Sequence, residues 1–270
     1  MSRANEDGDD AESSRRRQPL ARGVELLTLL VDSEQESHGV RELAGRLGVS
    51  PSTAHRLLAD LERLGLVGRA DDGAYQLGLE FLRLAWRASA RHPLHEFSAG
   101  VLEDLGSRTQ ETVFFGVYSP QRAQMMFAHT IESPHPLRYV IPLREWLPLH
   151  AGASGLAILA FAPSSVREQV LSGPLEAKTA RTIVDSAELA ERLAVIRENG
   201  FAVTHGERIS GAVAIAAPVF GPGGVLGVAG VSFPESRFNA SELGGLADRV
   251  RDSAARITRS LGGAVAPELD

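Results

Sequence analysis

Apolar residues recur at helical spacing in two short stretches of the first third of the chain. The first stripe consists of Val40, Leu43, Ala44 and Leu47. The second stripe consists of Ala54, Leu57, Leu58, Leu61 and Leu64. Between the stripes, Gly48 suits a tight turn, Ser50 suits an N-cap, and Pro51 suits a first helical turn. The pattern therefore predicts two short helices joined by a glycine-containing turn.

The second of these helices presents polar side chains on the side away from its apolar stripe, and a hairpin signal follows it. Strand-like residues 67–69 and 74–77 flank the pair Asp72-Gly73, which favours a tight turn. Two helices followed by a hairpin are typical of a winged helix-turn-helix. A small helical domain without a nucleic-acid role remains the alternative here. The residues predicted to contact DNA are Ser50, Ser52, Thr53, His55, Arg56, Arg63, Arg69 and Tyr75.

The segments on either side of this domain differ in character. Residues 1–18 are mostly polar and predict a disordered tail, whose Arg15–Arg17 either touch DNA phosphates or are simply solvated. Residues 20–31 have the pattern of a first helix. Residues 79–90 predict a helix with more apolar surface than one small domain can cover, which indicates dimerisation. Pro93 marks the predicted end of this linker.

Helical and strand-like patterns alternate beyond Pro93. The uncharged run from Ala212 to Phe233 is long enough to span a bilayer, but Pro218, Pro222 and Gly223-Gly224 interrupt it. Two strands around a turn are therefore predicted there. Strands grouped before and after a helical middle predict an α+β domain with an antiparallel sheet. Strands are predicted at 112–118, 123–131, 137–141, 201–204, 213–220 and 225–233, and helices at 94–108, 153–161, 164–171, 186–198 and 239–261.

Composition and charge narrow the possible functions. The 270 residues include no cysteine, which excludes disulfides, thiolate catalysis and cysteine-ligated zinc. Residues 15–92 contain twelve arginines against ten acidic residues, whereas the whole chain has a net charge of −6. The positive segment is the one that contains the predicted winged helix. Because its charge is small, contacts to base edges and dimerisation must add to phosphate attraction. The N-terminus lacks the apolar core of a signal peptide, so a cytoplasmic protein is expected.

The second half shows little sign of catalysis. No H-E-x-x-H motif occurs there, and hydrogen-bonded structural histidines are expected at His129, His135, His150 and His205. Residues 152–155 only half match a G-x-S-x-G elbow, and glycine-rich residues 221–230 lack a following helix. The loop 149–155 runs into a predicted helix, so its N–H groups suit an anion or a carbonyl. A small-residue packing joint is the alternative for this loop, and a hydrolase or isomerase with an accessory helix-turn-helix is the alternative function. No cofactor or metal is expected.

Several stretches together resemble the IclR type of transcriptional regulator over roughly residues 20–262. They are SPSTAHRLLADLERLGLV from Ser50, DGAYQLG from Asp72, PLHA from Pro148, GFAV from Gly200 with Glu207 just beyond, and AIAAPV from Ala214. The resemblance implies a winged helix-turn-helix joined to a GAF/profilin-like domain that binds a small-molecule effector. It also implies a homodimer or a dimer of dimers bound to double-stranded operator DNA.

The resemblance also implies a set of pocket residues and a domain plan. This chain has Leu156 where the family usually has a basic residue, Thr204-His205 where an acid is frequent, and Gly230 where a serine is frequent. A larger, partly apolar carboxylate is therefore expected rather than a very small dianion. The predicted domains are a tail at 1–18, the winged helix at 19–78, a linker helix at 79–92, the effector domain at 93–263 and a tail at 264–270. The implied pocket residues are Ala153, Ser154, Thr204, His205, Ala214, Gly230 and Ser232.

Overall fold

A computed structural model describes the backbone of residues 6–91, 93–143 and 145–264. The chain divides into two compact units, residues 1–92 and residues 93–270. The division falls at the boundary predicted at Pro93. Of the predicted tails, residues 1–5 and 265–270 lie outside the described residues.

Unit 1 consists of helices and one short hairpin. Ser50 begins the third helix as an N-cap, and Asp72 Oδ1 accepts a hydrogen bond from the backbone N–H of Ala74 in the turn of the hairpin, at 2.9 Å. The two strands pair antiparallel as predicted. The elements are α1 (Glu6–Val31), α2 (Val40–Leu47), α3 (Pro51–Arg63), β1 (Val67–Arg69), β2 (Tyr75–Leu77) and α4 (Leu79–Arg91).

Helix α1 begins earlier than the sequence pattern predicts. The structure places its first residue at Glu6, so residues 6–18 are helical rather than part of a disordered tail. The sequence offers a physical reason, because Glu6, Asp7, Asp9 and Asp10 fall in the first two turns of α1, where the positive end of the helix dipole favours acidic residues.

The core of unit 1 is built from the predicted stripes, except that Leu64 is exposed. Leu43 of α2 and Leu58 of α3 are fully buried and pack with Leu26 of α1. Tyr75 of β2 joins the same cluster and is 0% exposed. Burial of side chains of this size contributes roughly 1.5–3 kcal/mol each, so the apolar stripes stabilise the orientation of α3.

Unit 2 is a six-stranded antiparallel sheet between two layers of helices. The strands follow the order β5-β4-β3-β8-β7-β6. The predicted uncharged run forms the hairpin of β7 and β8, around a turn at residues 222–223. The elements are α5 (Pro93–Thr109), β3 (Thr112–Ser119), β4 (Gln124–Ile131), β5 (Leu147–Pro148), α6 (Gly152–Phe161), α7 (Ser164–Ser172), α8 (Ser186–Asn199), β6 (Ala202–His205), β7 (Ala212–Gly221), β8 (Gly224–Pro234) and α9 (Leu243–Ser260).

The two faces of the sheet bury separate apolar clusters. On one face, α6 is buried along its whole length up to Ala160 and packs with α8. On the other face, α5 and α9 pack against alternate residues of the same strands. Successive side chains of a strand point to opposite faces, so neighbouring residues of one strand belong to different clusters.

Two predicted elements differ in the structure. Residues 137–141 do not form a strand; Pro136 and Pro142 flank them and cannot donate to a strand ladder. Thr112 Oγ1 instead donates to the carbonyl oxygen of Tyr139 at 3.2 Å. The last helix begins at Leu243 rather than Asn239, because two short 3-10 turns at residues 235–242 precede it.

Candidate nucleic-acid interface and ligand cavity

The first turn of α3 carries a cluster of small polar groups. Ser50 Oγ accepts a hydrogen bond from the backbone N–H of Thr53 at 3.2 Å, which caps the helix. The same oxygen lies 3.0 Å from Ser52 Oγ and 2.9 Å from Thr53 Oγ1. Capping orders this turn, so the hydroxyl groups lie in defined positions at the start of the exposed helix face.

Arg56 and His55 extend this polar surface along α3. Both side chains are exposed, on the side opposite the buried Leu57 and Leu58. Within the described residues, Arg56 has neither a hydrogen bond nor an ion pair. Its guanidinium group is therefore available to an external acceptor.

The other predicted arginines are engaged inside unit 1. Arg63 Nη2 donates to Asp60 Oδ1 at 2.9 Å. Arg69 donates from Nη1 to the carbonyl oxygen of Gly73 at 3.0 Å, and its Cζ lies 4.2 Å from the centre of the Tyr75 ring. The Arg69 contacts brace the hairpin and the Arg63 contact lies within α3, so both side chains are less available than Arg56.

The structure corrects the prediction that Tyr75 contacts DNA. Its ring lies in the core of unit 1, and its hydroxyl group accepts a hydrogen bond from Arg69. Its backbone N–H and carbonyl pair with His38 at 2.8 and 2.9 Å. The strand alternation points Tyr75 inward, which the strand-like sequence alone does not reveal.

A small cavity lies in unit 2 where β6, β7 and β8 meet the beginning of α6. Strand register places Thr204 opposite Ala214, and Ala214 opposite Ser232, so the three side chains form one row on one face of the sheet. The lining residues are Phe114, Phe127, Ile141, Gly152, Ala153, Ser154, Thr204, Glu207, Arg208, Ile209, Ala212, Ala214 and Ser232. We call this space the ligand cavity.

The ligand cavity is small in this structure. Its volume is about 30 Å³, which is room for roughly two water molecules. An organic ligand therefore enters only if side chains of the wall move. The wall residues Ile141, Glu207, Arg208 and Ile209 belong to loops rather than to strands, so they have the least support.

The beginning of α6 is tied to the row of strand residues. The backbone N–H of Ala153 donates to Thr204 Oγ1 at 3.1 Å. Thr204 is 3% exposed, and Ser154 likewise. The hydrogen bond places the first turn of α6, with its positive end of the helix dipole, at the wall of the cavity.

Two of the predicted pocket residues do not reach the ligand cavity. His205 lies opposite Val213, which belongs to the cluster on the other face, and its ring packs edge-on against Phe238 at 4.6 Å. Gly230 lies beneath Phe114, where a Cβ atom would be 2.6 Å from Phe114 Cζ. The absence of a side chain at Gly230 makes room for the aromatic wall.

The charged and aromatic residues of this wall are not among the predicted pocket residues. Burial lowers the pKa of Arg208 to about 10. Burial also raises the pKa of Glu207 above its ordinary value, although the positive charge of Arg192 acts in the opposite direction. Strand alternation could have indicated Phe114, because it pairs with Gly230, which lies two residues from Ser232 on the same face of the sheet. Arg208 lies in a loop, where no periodic pattern indicates direction.

Two histidines of unit 2 lie within hydrogen-bonding distance of neighbouring oxygen atoms. His150 Nε2 lies 2.9 Å from the carbonyl oxygen of Glu176, and His129 Nδ1 lies 3.4 Å from Ser98 Oγ. No group of three potential metal ligands occurs among the described residues. Nor does any described helix combine the length and apolar character required to cross a membrane.

Profiles of two protein domains match the chain. Residues 19–71 match the IclR helix-turn-helix domain. Residues 87–259 match the C-terminal domain of the bacterial transcriptional regulator IclR. The glycerol operon regulatory protein of Streptomyces griseus is 32% identical over 252 residues, which are 91% of this chain and 96% of that protein.

Solved structures share the fold. An IclR-type transcriptional regulator from Silicibacter is 29% identical, with a TM-score of 0.83 over 93% of this chain and 99% of its own. An IclR homologue of Microbacterium hydrocarbonoxydans, solved in complex with 4-hydroxybenzoate, is 26% identical, with a TM-score of 0.76 over 91% of this chain and 99% of its own. The matched regions include both the helix-turn-helix and the ligand cavity.

Proposed function

The chain belongs to the IclR family of DNA-binding transcriptional regulators, and we propose that a small carboxylate bound in the ligand cavity controls its affinity for an operator. The single observation that carries this proposal is the small cavity, with aromatic and polar walls, at the start of α6. It lies in a unit separate from the helix-turn-helix. Binding of an effector there is therefore a second event, coupled to DNA binding, as an allosteric regulator requires.

Operator recognition is assigned to the first half of α3. In a helix-turn-helix, the N-terminal residues of the second helix contact base edges in the major groove. Ser52, His55 and Arg56 are exposed on that part of α3, and Arg56 is available for a base or a phosphate. We assign supporting phosphate contacts to Arg63 and Arg69. To make them, each arginine would exchange its partner within unit 1 for a phosphate group.

The carboxylate assignment has support from the cavity and from a relative. Phe114 and Phe127 form an apolar wall, with ring centres 5.0 Å apart, while Ser154 and Ser232 contribute hydroxyl groups. An aromatic acid, 4-hydroxybenzoate, is bound to the Microbacterium relative. An apolar wall with a few polar groups suits a ligand of this class.

Unit 1 also has an apolar surface that suits a second copy of the chain. Leu20, Val24, Leu27 and Val31 of α1 follow the alternating four- and three-residue spacing of a helix seam, and three of them are largely exposed. Leu79 and Trp86 of α4 are exposed seven residues apart. We assign these faces to homodimer contacts, which would place two α3 helices on one operator in the cytoplasm.

The substitution Val24→Arg is expected to shift the protein from dimer to monomer. Two arginines at a twofold seam repel each other and cannot be desolvated without cost. Sedimentation velocity measures the change. Val184→Arg is the matched control, because Val184 of unit 2 is 53% exposed and Val24 is 55% exposed. An unchanged dimer in the Val24→Arg protein would place the interface elsewhere.

The substitution Tyr75→Phe tests the corrected role of Tyr75. It removes the hydrogen bond to Arg69 and leaves the ring in the core. We expect a loss of roughly 0.5–1.5 kcal/mol in the free energy of unfolding, measured by urea denaturation, with an unchanged preference among operator sequences. A changed base preference at one operator position would restore Tyr75 as a DNA contact.

Footprinting of the purified protein on DNA flanking its own gene tests the function as a whole. We expect protection of an inverted repeat, since a twofold dimer recognises two half-sites. Titration with benzoate should then change the operator affinity. The absence of any sequence-specific footprint, or turnover of small esters that Ser154→Ala abolishes, would contradict the proposal.

A further inference from the structure

Arg208 places an unneutralised positive charge at the ligand cavity. It lies in the loop between β6 and β7, at the edge of the cavity. Its side chain has neither a hydrogen bond nor an ion pair within the described residues. Its Cζ instead lies 5.0 Å from the centre of the Phe127 ring. The side chain is only partly exposed, so its charge is partly desolvated and its donors favour an anionic acceptor.

The neighbouring acid does not serve as the counter-ion of Arg208. The electrostatic partners that influence the Glu207 carboxyl are Arg192, which lowers its pKa, and Glu188, which raises it. Burial alone accounts for the lowered pKa of Arg208, and no carboxylate opposes it. Adjacent in sequence, Glu207 and Arg208 thus face different partners.

The main chain of α6 adds positive potential at the same place. A Cβ atom at Gly152 would lie 3.0 Å from Arg208 Cβ and 3.6 Å from Arg208 Nε. The side chain of Arg208 therefore crosses the first turn of α6, and the glycine gives it room. A helix N-terminus and a guanidinium normally attract an anion rather than one another.

We propose that Arg208 is the specificity-determining residue of the ligand cavity, and that it binds the carboxylate of a singly charged effector with an apolar body. The inference rests on the proposed function, because it takes the cavity as the effector site. The guanidinium presents paired N–H donors to the two carboxylate oxygens. Phe127, released from Arg208, then contacts the apolar body beside Phe114.

The charge of the effector is limited to one by the same wall. Glu207 is the other ionisable residue that lines the cavity. A second carboxylate on the ligand would lie close to this acid. Among the described lining residues, no cation other than Arg208 could neutralise it. The cavity thus selects monoanions over neutral analogues through Arg208, and over dianions through Glu207.

Calorimetric titration of the full-length protein tests this selection with matched probes. Benzoate is compared with its neutral isostere benzamide, and 4-carbamoylbenzoate with the dianion terephthalate. We expect the wild-type protein to bind benzoate roughly 10- to 100-fold more tightly than benzamide, which is the range for charge-assisted hydrogen bonds. The affinity for terephthalate should be lower than that for 4-carbamoylbenzoate.

Arg208→Met should bring the benzoate and benzamide affinities together. The matched control is Arg122→Met, because Arg122 also lies 5.0 Å from an aromatic ring, that of Trp146, but away from the cavity. The control should keep the wild-type preference. Benzoate that fails to bind the wild-type protein, or a preference that survives in Arg208→Met, overturns the assignment.

Two further measurements separate this inference from folding and from the proposed function. Ligand-free Arg208→Met should melt no lower than the wild type, because methionine removes a partly buried charge that has no ion pair among the described residues. A lower melting temperature with the benzoate preference intact would make Arg208 a structural residue. Operator binding should persist in Arg208→Met; its absence in the wild type would defeat the proposed function, while the titrations still decide the role of Arg208.

Discussion

Replacement of Arg56 by alanine is expected to cause the largest loss of operator affinity among single substitutions in α3. The exposed guanidinium has no partner among the described residues, so its donors are free for a base edge or a phosphate. Loss of one arginine contact costs roughly 1–3 kcal/mol. In a dimer the contact is lost in both half-sites, so we expect roughly 2–6 kcal/mol in all.

Fluorescence anisotropy with a footprinted operator, at several salt concentrations, measures the loss and its salt dependence. Arg63→Ala is the matched control on the same helix, because Arg63 already bonds to Asp60. It should cost less than Arg56→Ala. The reverse order would move the contact surface towards the end of α3. Equal affinity for the wild-type and Arg56→Ala proteins would contradict the assignment of α3 as the recognition helix.

The winged helix could be predicted closely because its signals are local. The stripes at 40–47 and 54–64, the cap at Ser50 and the turn at Asp72-Gly73 each act within a few residues. The orientation of Tyr75 is not local, because it depends on the pairing of β2 with residue 38. A strand of three residues is too short for alternation to identify its inner face.

The ligand cavity could be predicted only in part, because it depends on strand register. Thr204, Ala214 and Ser232 form a row that family resemblance indicates and pairing explains. His205 follows Thr204 in sequence and for that reason points to the other face. Arg208 reaches the cavity through a loop and through the space beside Gly152, and neither feature leaves a signal in the sequence.

The cavity volume determines which substitution can block the effector cleanly. A tryptophan at Ser154 would fill the site, but Ser154 lies within α6, whose residues 152–160 are all buried. A cavity of about 30 Å³ cannot take an indole. Overpacking of this kind destabilises by typically 1–3 kcal/mol or more. Ser154→Trp therefore tests folding as much as binding.

Ala214→Val is expected to abolish the effector response while it leaves the protein folded and able to bind its operator. Ala214 is partly buried at the centre of the cavity row, and two extra methyl groups there occupy free space rather than displacing the core. A ligand changes operator affinity only as far as it prefers one state, typically by about 1–3 kcal/mol, or 5- to 150-fold. A filled cavity should reduce this change to nothing.

Operator titrations with and without benzoate measure this response, and Ala190→Val on the exposed side of α8 is the control. The control should keep the full benzoate effect. An equal effect in Ala214→Val would place the effector elsewhere in unit 2. The larger groove of about 770 Å³ between the end of α8 and α9, with Phe161, Pro218 and Phe220 among its lining residues, would then be the site to substitute. Because this groove shares no lining residue with the ligand cavity, operator titrations of variants in each site would distinguish the two.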